Sequence, residues 1–126
     1  MNTFVTGGCG AIGSNLIDRL LADGHSVTCY DNLSEGKREF IAPHEGNPKF
    51  TFIQADILDF QKLKGSMRNH DIIFHLAANT ETKNLEQDTD KDFQQNVIGT
   101  KNVLEAMICV FLSQSGVVVL CTATLS

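Results

Sequence analysis

The sequence predicts a doubly wound α/β fold: a parallel sheet of about five strands with helices on both faces, built as one domain over residues 1–126. Three observations carry this. Strand-like and helix-like segments alternate along the chain. The strands read as continuous apolar runs, such as "IIFHL" from Ile72 and "GVVVLC" from Gly116, which is the pattern of strands covered on both sides. A glycine-rich turn joins the first strand directly to the first helix.

The elements follow in order. Asn2 to Thr6 is a short buried strand. Ala11 to Asp23 has helical spacing, with Ile12, Leu16, Ile17, Leu20 and Leu21 on one face and Gly24 placed to stop it. Ser26 to Tyr30 is the second strand, followed by the polar loop "DNLSEGK". Lys49 to Gln54 is the third strand, ending at Ala55-Asp56. Asp59 to Asn69 reads as a helix with Phe60, Leu63 and Met67 at helical spacing. Asp71 to Leu76 is the fourth strand. Asp88 to Met107 is the longest helix, with Phe93, Val97, Leu104 and Met107 expected on its inner side. Gly116 to Cys121 is the fifth strand. No linker, repeat or low-complexity stretch interrupts the series.

Composition narrows the function. Apolar residues make up 42% and charged residues 20%, the balance of a globular domain rather than a disordered one. The net charge of −5, with no basic stripe, leaves no electrostatic footprint for nucleic acid. Cys9, Cys29, Cys109 and Cys121 are widely spaced, form no C-x-x-C pair and have no histidines clustered beside them. Free thiols in a reducing cytoplasm are expected, ahead of a disulfide framework or a zinc site, and no metal site is assigned. The chain starts directly with a strand, so no signal peptide is expected. No apolar run approaches bilayer-spanning length, so no membrane partner is expected.

Gly8-Cys9-Gly10-Ala11-Ile12-Gly13 fits G-x-G-x-x-G, in the context that gives the pattern meaning: a strand before it and a helix at once after. The first glycines, Gly7 and Gly8, permit the tight turn. Gly10 lets backbone N–H groups approach a pyrophosphate, and Gly13 lets the helix pack close to the strand. The helix amino terminus then offers free N–H groups and a positive dipole end to the anion. A glycine turn with no ligand is the alternative. Asp31 lies 18 residues after Gly13, at the end of the second strand. A carboxylate there accepts hydrogen bonds from a ribose diol and repels a 2′-phosphate, which favours NAD over NADP. Asp31 is otherwise a plain turn residue. Lys37 and Arg38 are near enough to serve a phosphate, although exposed loop cations are usually only solvated.

These motifs together resemble the extended short-chain dehydrogenase/reductases, the NAD-dependent epimerase/dehydratase group acting on nucleotide sugars. The resemblance runs from about Met1 to Met107. "TGGCGAIGSNL" resembles the T-G-G-x-G-x-I-G loop and "DNLSEG", with Asp31 and Asn32, the ribose-binding segment. "ADILD", with Asp56 and Ile57, is similar to A-D-[IL]-x-D. "FHLAA", with Leu76, Ala77 and Ala78, is similar to the H-x-A-A turn lining the cofactor. "NVIGTKNVLEA" from Asn96 is similar to N-x-x-G-T-x-N-[VL]-L-E-A. The resemblance implies a Rossmann fold and NAD as cofactor. It places Asp56 on the adenine amino group, Ala77 and Ala78 where the backbone passes the pyrophosphate and ribose, and Asn96 as a polar brace near the active-site strand. From the residues alone, Asp56 is equally a helix cap or turn residue, and His75 is better read as a satisfied core histidine.

After Met107 the match decays. "CTATLS" resembles the family's S-[ST]-A-T-V-Y, which places Thr122 at the catalytic Ser/Thr position and Ser126 where the tyrosine stands. Thr122 and Thr124 as ordinary strand residues fit as well. The family's general base is the tyrosine of Y-x-x-x-K. This sequence has no Y-x-x-x-K, and its one tyrosine is Tyr30. The expectation is therefore a truncated NAD-binding domain resembling the nucleotide-sugar enzymes, without the catalytic Tyr–Lys pair and without the substrate domain. A homodimer is expected through the long helix, the fifth strand as a sheet edge, or both. Two alternatives stand beside it. One is a minimal active oxidoreductase or epimerase completed across a dimer, using residues such as Thr122 or His75. The other is an interaction protein with a vestigial nucleotide site.

Overall fold

A computed structural model describes residues 1–77 and 94–114 and, as backbone, 119–122. Five parallel strands form one sheet: β1 (Asn2–Thr6), β2 (Ser26–Asp31), β3 (Phe50–Gln54), β4 (Ile72–His75) and β5 (Val119–Thr122), in the order β3-β2-β1-β4-β5. The chain starts in the centre, winds outward through β2 and β3, then returns to β4 on the other side of β1. The order reverses between β1 and β4, whose register pairs Thr6 with His75. A crevice opens at that switch point in doubly wound sheets, beyond the carboxyl ends of the strands.

Alternation along the strands sends side chains to two cores. Val5, Val27 and Cys29 pack with Ile17 of α1 (Ala11–Ala22) and with Cys9 and Ile41. Phe4, Tyr30 and Ile73 pack on the opposite face with Leu63 and Met67 of α2 (Phe60–Met67) and Val103, Ala106 and Val110 of α3 (Gly99–Ser113). Asp59 caps α2 by accepting the Lys62 N–H at 3.2 Å. Gly24, at φ +89°, lets the chain leave α1 in a left-handed turn. β3 is only half buried, as suits an outer strand.

Three expectations are corrected. The inner face of the long helix is Gly99, Val103, Ala106 and Val110, while Val97 and Leu104 are exposed and Met107 is half buried. The π-helical turn Gln94–Ile98 shifts the register entering α3, and the helix start approaches the loop after β3 so closely that a Cβ on Gly99 would collide with Ile57. Residues 88–93, with Phe93, lie outside the described residues. Ile12 turns out of the α1 core stripe and is exposed at the helix start. Finally, Asn96–Ser113 spans 18 residues at mean hydropathy 1.2, long and apolar enough to cross a bilayer. In sequence the run is broken by Lys101 and Glu105, which meet each other on the helix surface at 3.8 Å.

Candidate cofactor-binding site

The loop after β1 is shaped by backbone geometry. Gly7 takes φ +72°, a region side chains disfavour, and donates its N–H to the Tyr30 carbonyl at 2.9 Å. A Cβ there would lie 2.7 Å from the Ala77 nitrogen, so the loop touches the chain leaving β4. A Cβ on Gly13 would collide with the Gly7 carbonyl oxygen. The left-handed turn thus belongs to Gly7, and the working frame is Gly7, Gly10, Gly13. This refines the G-x-G-x-x-G frame beginning at Gly8.

Gly10 caps α1 and has no side chain to bond the first-turn N–H groups. The first helical bond runs from Ser14 N–H to Gly10 O at 2.9 Å. The N–H groups of Ala11, Ile12 and Gly13 therefore precede the helix ladder and point out of its amino end. Among the described residues, a Cβ on Gly10 would meet only the Gly7 oxygen, at 3.4 Å. The protein's own packing leaves room at this position, and the open end of the helix suits a phosphate group.

Beyond β2, Asp31 is 8% exposed and divides its carboxylate. Oδ2 accepts the Cys9 N–H of the glycine loop at 2.9 Å, and Oδ1 accepts the Leu33 N–H at 2.8 Å. That second bond supports Leu33 at φ +63°. Asp31 is thus a turn residue, and each oxygen retains a lone pair for a further donor. Asn32 donates to Asp56 Oδ2 at 3.1 Å. Asp56 also accepts the Leu58 N–H through Oδ1 at 2.9 Å, and its carbonyl accepts the Tyr30 hydroxyl at 2.8 Å. At the carboxyl ends of β2 and β3, Asn32 and Asp56 are thus bonded to each other, while the neighbouring Asp31 carboxylate holds the glycine loop. The Ile57 side chain is buried against α3, and its carbonyl is held by Asn102 of that helix. Lys37 donates its N–H to the Cys9 carbonyl, and Arg38 pairs with Glu45 at 3.2 Å while lying over the Phe52 ring.

Leu76 and Ala77 leave β4 beside Gly7, both N–H groups directed to Thr6 Oγ1. Asn96 sits exposed in the π-helical turn before α3. Thr122 pairs in register with His75 on β5, which puts its backbone two strands from the glycine loop. Ala78, Thr124 and Ser126 lie outside the described residues. Tyr30 is fully buried, and burial, followed by the charges of Asp59 and Asp56, pushes its phenol well above the ordinary range. It is not placed to serve as a general base. His75 matches its reading as a satisfied core histidine, with Thr6 on one ring nitrogen and Thr100 on the other. The Cys9 and Cys29 thiols meet at 3.9 Å in the core, and that contact, then burial, pushes the Cys29 thiol up. Cys9, Cys29 and Cys109 are free, as expected.

Sequence reasoning missed Thr6, Thr100 and Asn102. Asn102 donates to the carbonyls of Ile57 at 3.0 Å and Leu58 at 3.4 Å, clamping the loop that carries Asp56. Thr6 opens the quoted "TGG", and Thr100 and Asn102 stand in "GTKN", so the signal was present without a stated purpose.

A parallel sheet with a 3-2-1-4-5 order, a glycine loop at its switch point and an acid closing the second strand define a dinucleotide-binding domain. The model of the NAD dependent epimerase/dehydratase family matches residues 3–124, and the chain belongs to that family, whose cofactor is NAD. Over 108 residues it is 45% identical to UDP-glucose 4-epimerase of Mycolicibacterium smegmatis, covering 84% of this chain and 34% of that protein. The fold superimposes on UDP-glucose 4-epimerase of Thermotoga maritima with UDP-glucose at a TM-score of 0.79 and 34% identity, covering 88% of this chain and 35% of that one. It superimposes on the dTDP-glucose 4,6-dehydratase DesIV of Streptomyces venezuelae, with NAD and TYD bound, at 0.82 and 31% identity, covering 87% and 36%. The chain spans between 22% and 34% of the length of the curated relatives it matches.

Proposed function

We propose that this chain holds the NAD of an enzyme acting on nucleotide sugars. The observation that carries the reading is the open amino end of α1 beneath Gly10, set beside the buried carboxylate of Asp31. The Ala11, Ile12 and Gly13 N–H groups take the pyrophosphate. Asp31 accepts a ribose hydroxyl with its spare lone pairs, assisted by Asn32, and repels a 2′-phosphate. Asp56 takes the adenine amino group, with the backbone of Ile57 beside it. Leu76, Ala77 and Ala78 line the crossing, and Asn96 braces the far side. Bound NAD supplies reversible hydride transfer, and this chain binds and orients it. Thr122 is the one residue assigned to the reacting end, and Tyr30 does not stand in for a Y-x-x-x-K tyrosine. The sugar nucleotide is assigned from the relatives, which act on UDP- and dTDP-sugars.

The outer face of α3 supports the homodimer: Val97, Leu104, Ile108, Phe111 and Leu112 are exposed along the helix. A cytoplasmic setting agrees with free Cys9, Cys29 and Cys109. Calorimetry with NAD, NADP and ADP-ribose tests the cofactor. NAD and ADP-ribose are expected to bind comparably and NADP more weakly; tighter NADP binding contradicts the role of Asp31. Incubation with UDP-sugars and NAD reads any turnover, and sedimentation reads the dimer, which a clean monomer at micromolar concentration would exclude.

A further inference from the structure

Thr6, His75 and Thr100 form a buried chain across the switch point. Thr6 Oγ1 accepts the N–H groups of Leu76 at 3.1 Å and Ala77 at 3.2 Å. Leu76 N–H is shared with the Thr6 carbonyl at 3.1 Å, whereas Ala77 N–H is aimed at Oγ1; both lie on the accepting side of Oγ1, which leaves its single proton for His75 Nδ1, 2.8 Å away. Nδ1 is then the bare ring nitrogen, and Nε2 carries the proton and donates to Thr100 Oγ1 at 3.0 Å. Donation then runs from the turn after β4, through Thr6 and His75, to Thr100 of α3. His75 is 7% exposed, and burial lowers its pKa to about 4, which keeps the ring neutral. A proton on Nδ1 instead would compete with the Ala77 and Leu76 N–H groups for the Thr6 Oγ1 lone pairs and loosen a peptide that abuts Gly7.

We propose that His75 is a positioning residue: held as the Nε2–H tautomer between Thr100 and Thr6, it fixes the Leu76–Ala77 turn against Gly7 and so sets the shape of the pyrophosphate crossing. This rests on the NAD reading above. It gives Thr100 a task in the quoted helix motif, and it makes α3 a fastener of both halves of the site, with Asn102 holding the Asp56 loop from the same helix.

The test uses the ¹⁵N-labelled chain without ligand, then NAD titrations. The ring signals of His75 are expected to show Nδ1 unprotonated and Nε2 protonated; the reverse tautomer overturns the proposal. Thr6→Val and His75→Phe, which break the chain, are expected to weaken NAD by about tenfold and to move the Ala77 and Gly7 amide signals. Thr6→Ser keeps the hydroxyl, and His75→Asn offers an amide oxygen near Nδ1; both are expected to stay within about twofold of wild type. Folded Thr6→Val and His75→Phe proteins that bind NAD like wild type overturn it. Where those two fail to fold, Thr100→Val decides. It is expected to erode the tautomer preference and shift the Ala77 amide, and unchanged signals overturn the proposal. A wild-type chain with the expected tautomer and no affinity for NAD sinks the cofactor reading alone and leaves His75 positioning the turn.

Discussion

The two long helices, α1 and α3, use their surfaces differently. α1 buries one stripe around Ile17 and, apart from Ile12 at its start, shows no large exposed apolar side chain. α3 buries Gly99, Val103, Ala106 and Val110 and exposes a second apolar stripe on its far side, with Leu112 at 77% exposure. α1 is complete as a helix of this domain, and its unspent feature is its amino end, where the first N–H groups have no partner among the described residues. α3 is tied down at its amino end, where Thr100 bonds His75 of β4 and Asn102 the loop after β3, and its unspent feature is its flank. An open helix end suits a small anion; an open apolar flank suits another polypeptide surface.

That contrast can be broken at several points. Gly13→Val drives a side chain into the Gly7 carbonyl and is expected to cost about 3 kcal/mol or more in denaturant unfolding, with loss of NAD binding. The next effect belongs to His75. Its folded pKa of about 4 lies below the ordinary histidine value of 6.5, so the unfolded chain binds the extra proton between those values. Stability from this group is intact above pH 6.5 and falls as pH drops toward 4, by ~3 kcal/mol. Unfolding of wild type and His75→Asn across that window checks it: the pH-dependent loss should be smaller by that amount in the variant, and parallel curves would contradict the neutral buried ring.

Asp31→Asn keeps an acceptor for one backbone N–H but removes the charge. It is expected to weaken NAD by about ten- to a hundredfold in calorimetry and to narrow the margin over NADP. The mildest effect on folding is expected on the outer face of α3. Ile108→Glu changes an exposed residue and should alter unfolding free energy by no more than ~0.5 kcal/mol, while sedimentation shows the dimer lost. A large loss of monomer stability would mean this flank is already part of the core.

The alternation of elements, the apolar strands and the glycine loop made the sheet legible, because each depends on local spacing. The burial phase of the long helix was not legible. Apolar residues such as Val97 and Leu104 invite an inward reading, but a π-helical turn resets the register, and Gly99 is the residue set against Ile57. At the site, Asp31 and Asp56 were visible as carboxylates after strands, whereas the bond between Asn32 and Asp56 depends on strand order. Thr6, Thr100 and Asn102 act through tertiary contacts, so their chemistry showed only in the assembled sheet.

The most direct measurement is an NMR titration of the ¹⁵N-labelled chain with NAD. Saturable shifts concentrated at the amides of Gly10, Ala11, Ile12, Gly13 and Ala77 are expected. An unperturbed loop at saturating NAD, or shifts confined to the far end of the sheet, would contradict the glycine loop as the cofactor's seat.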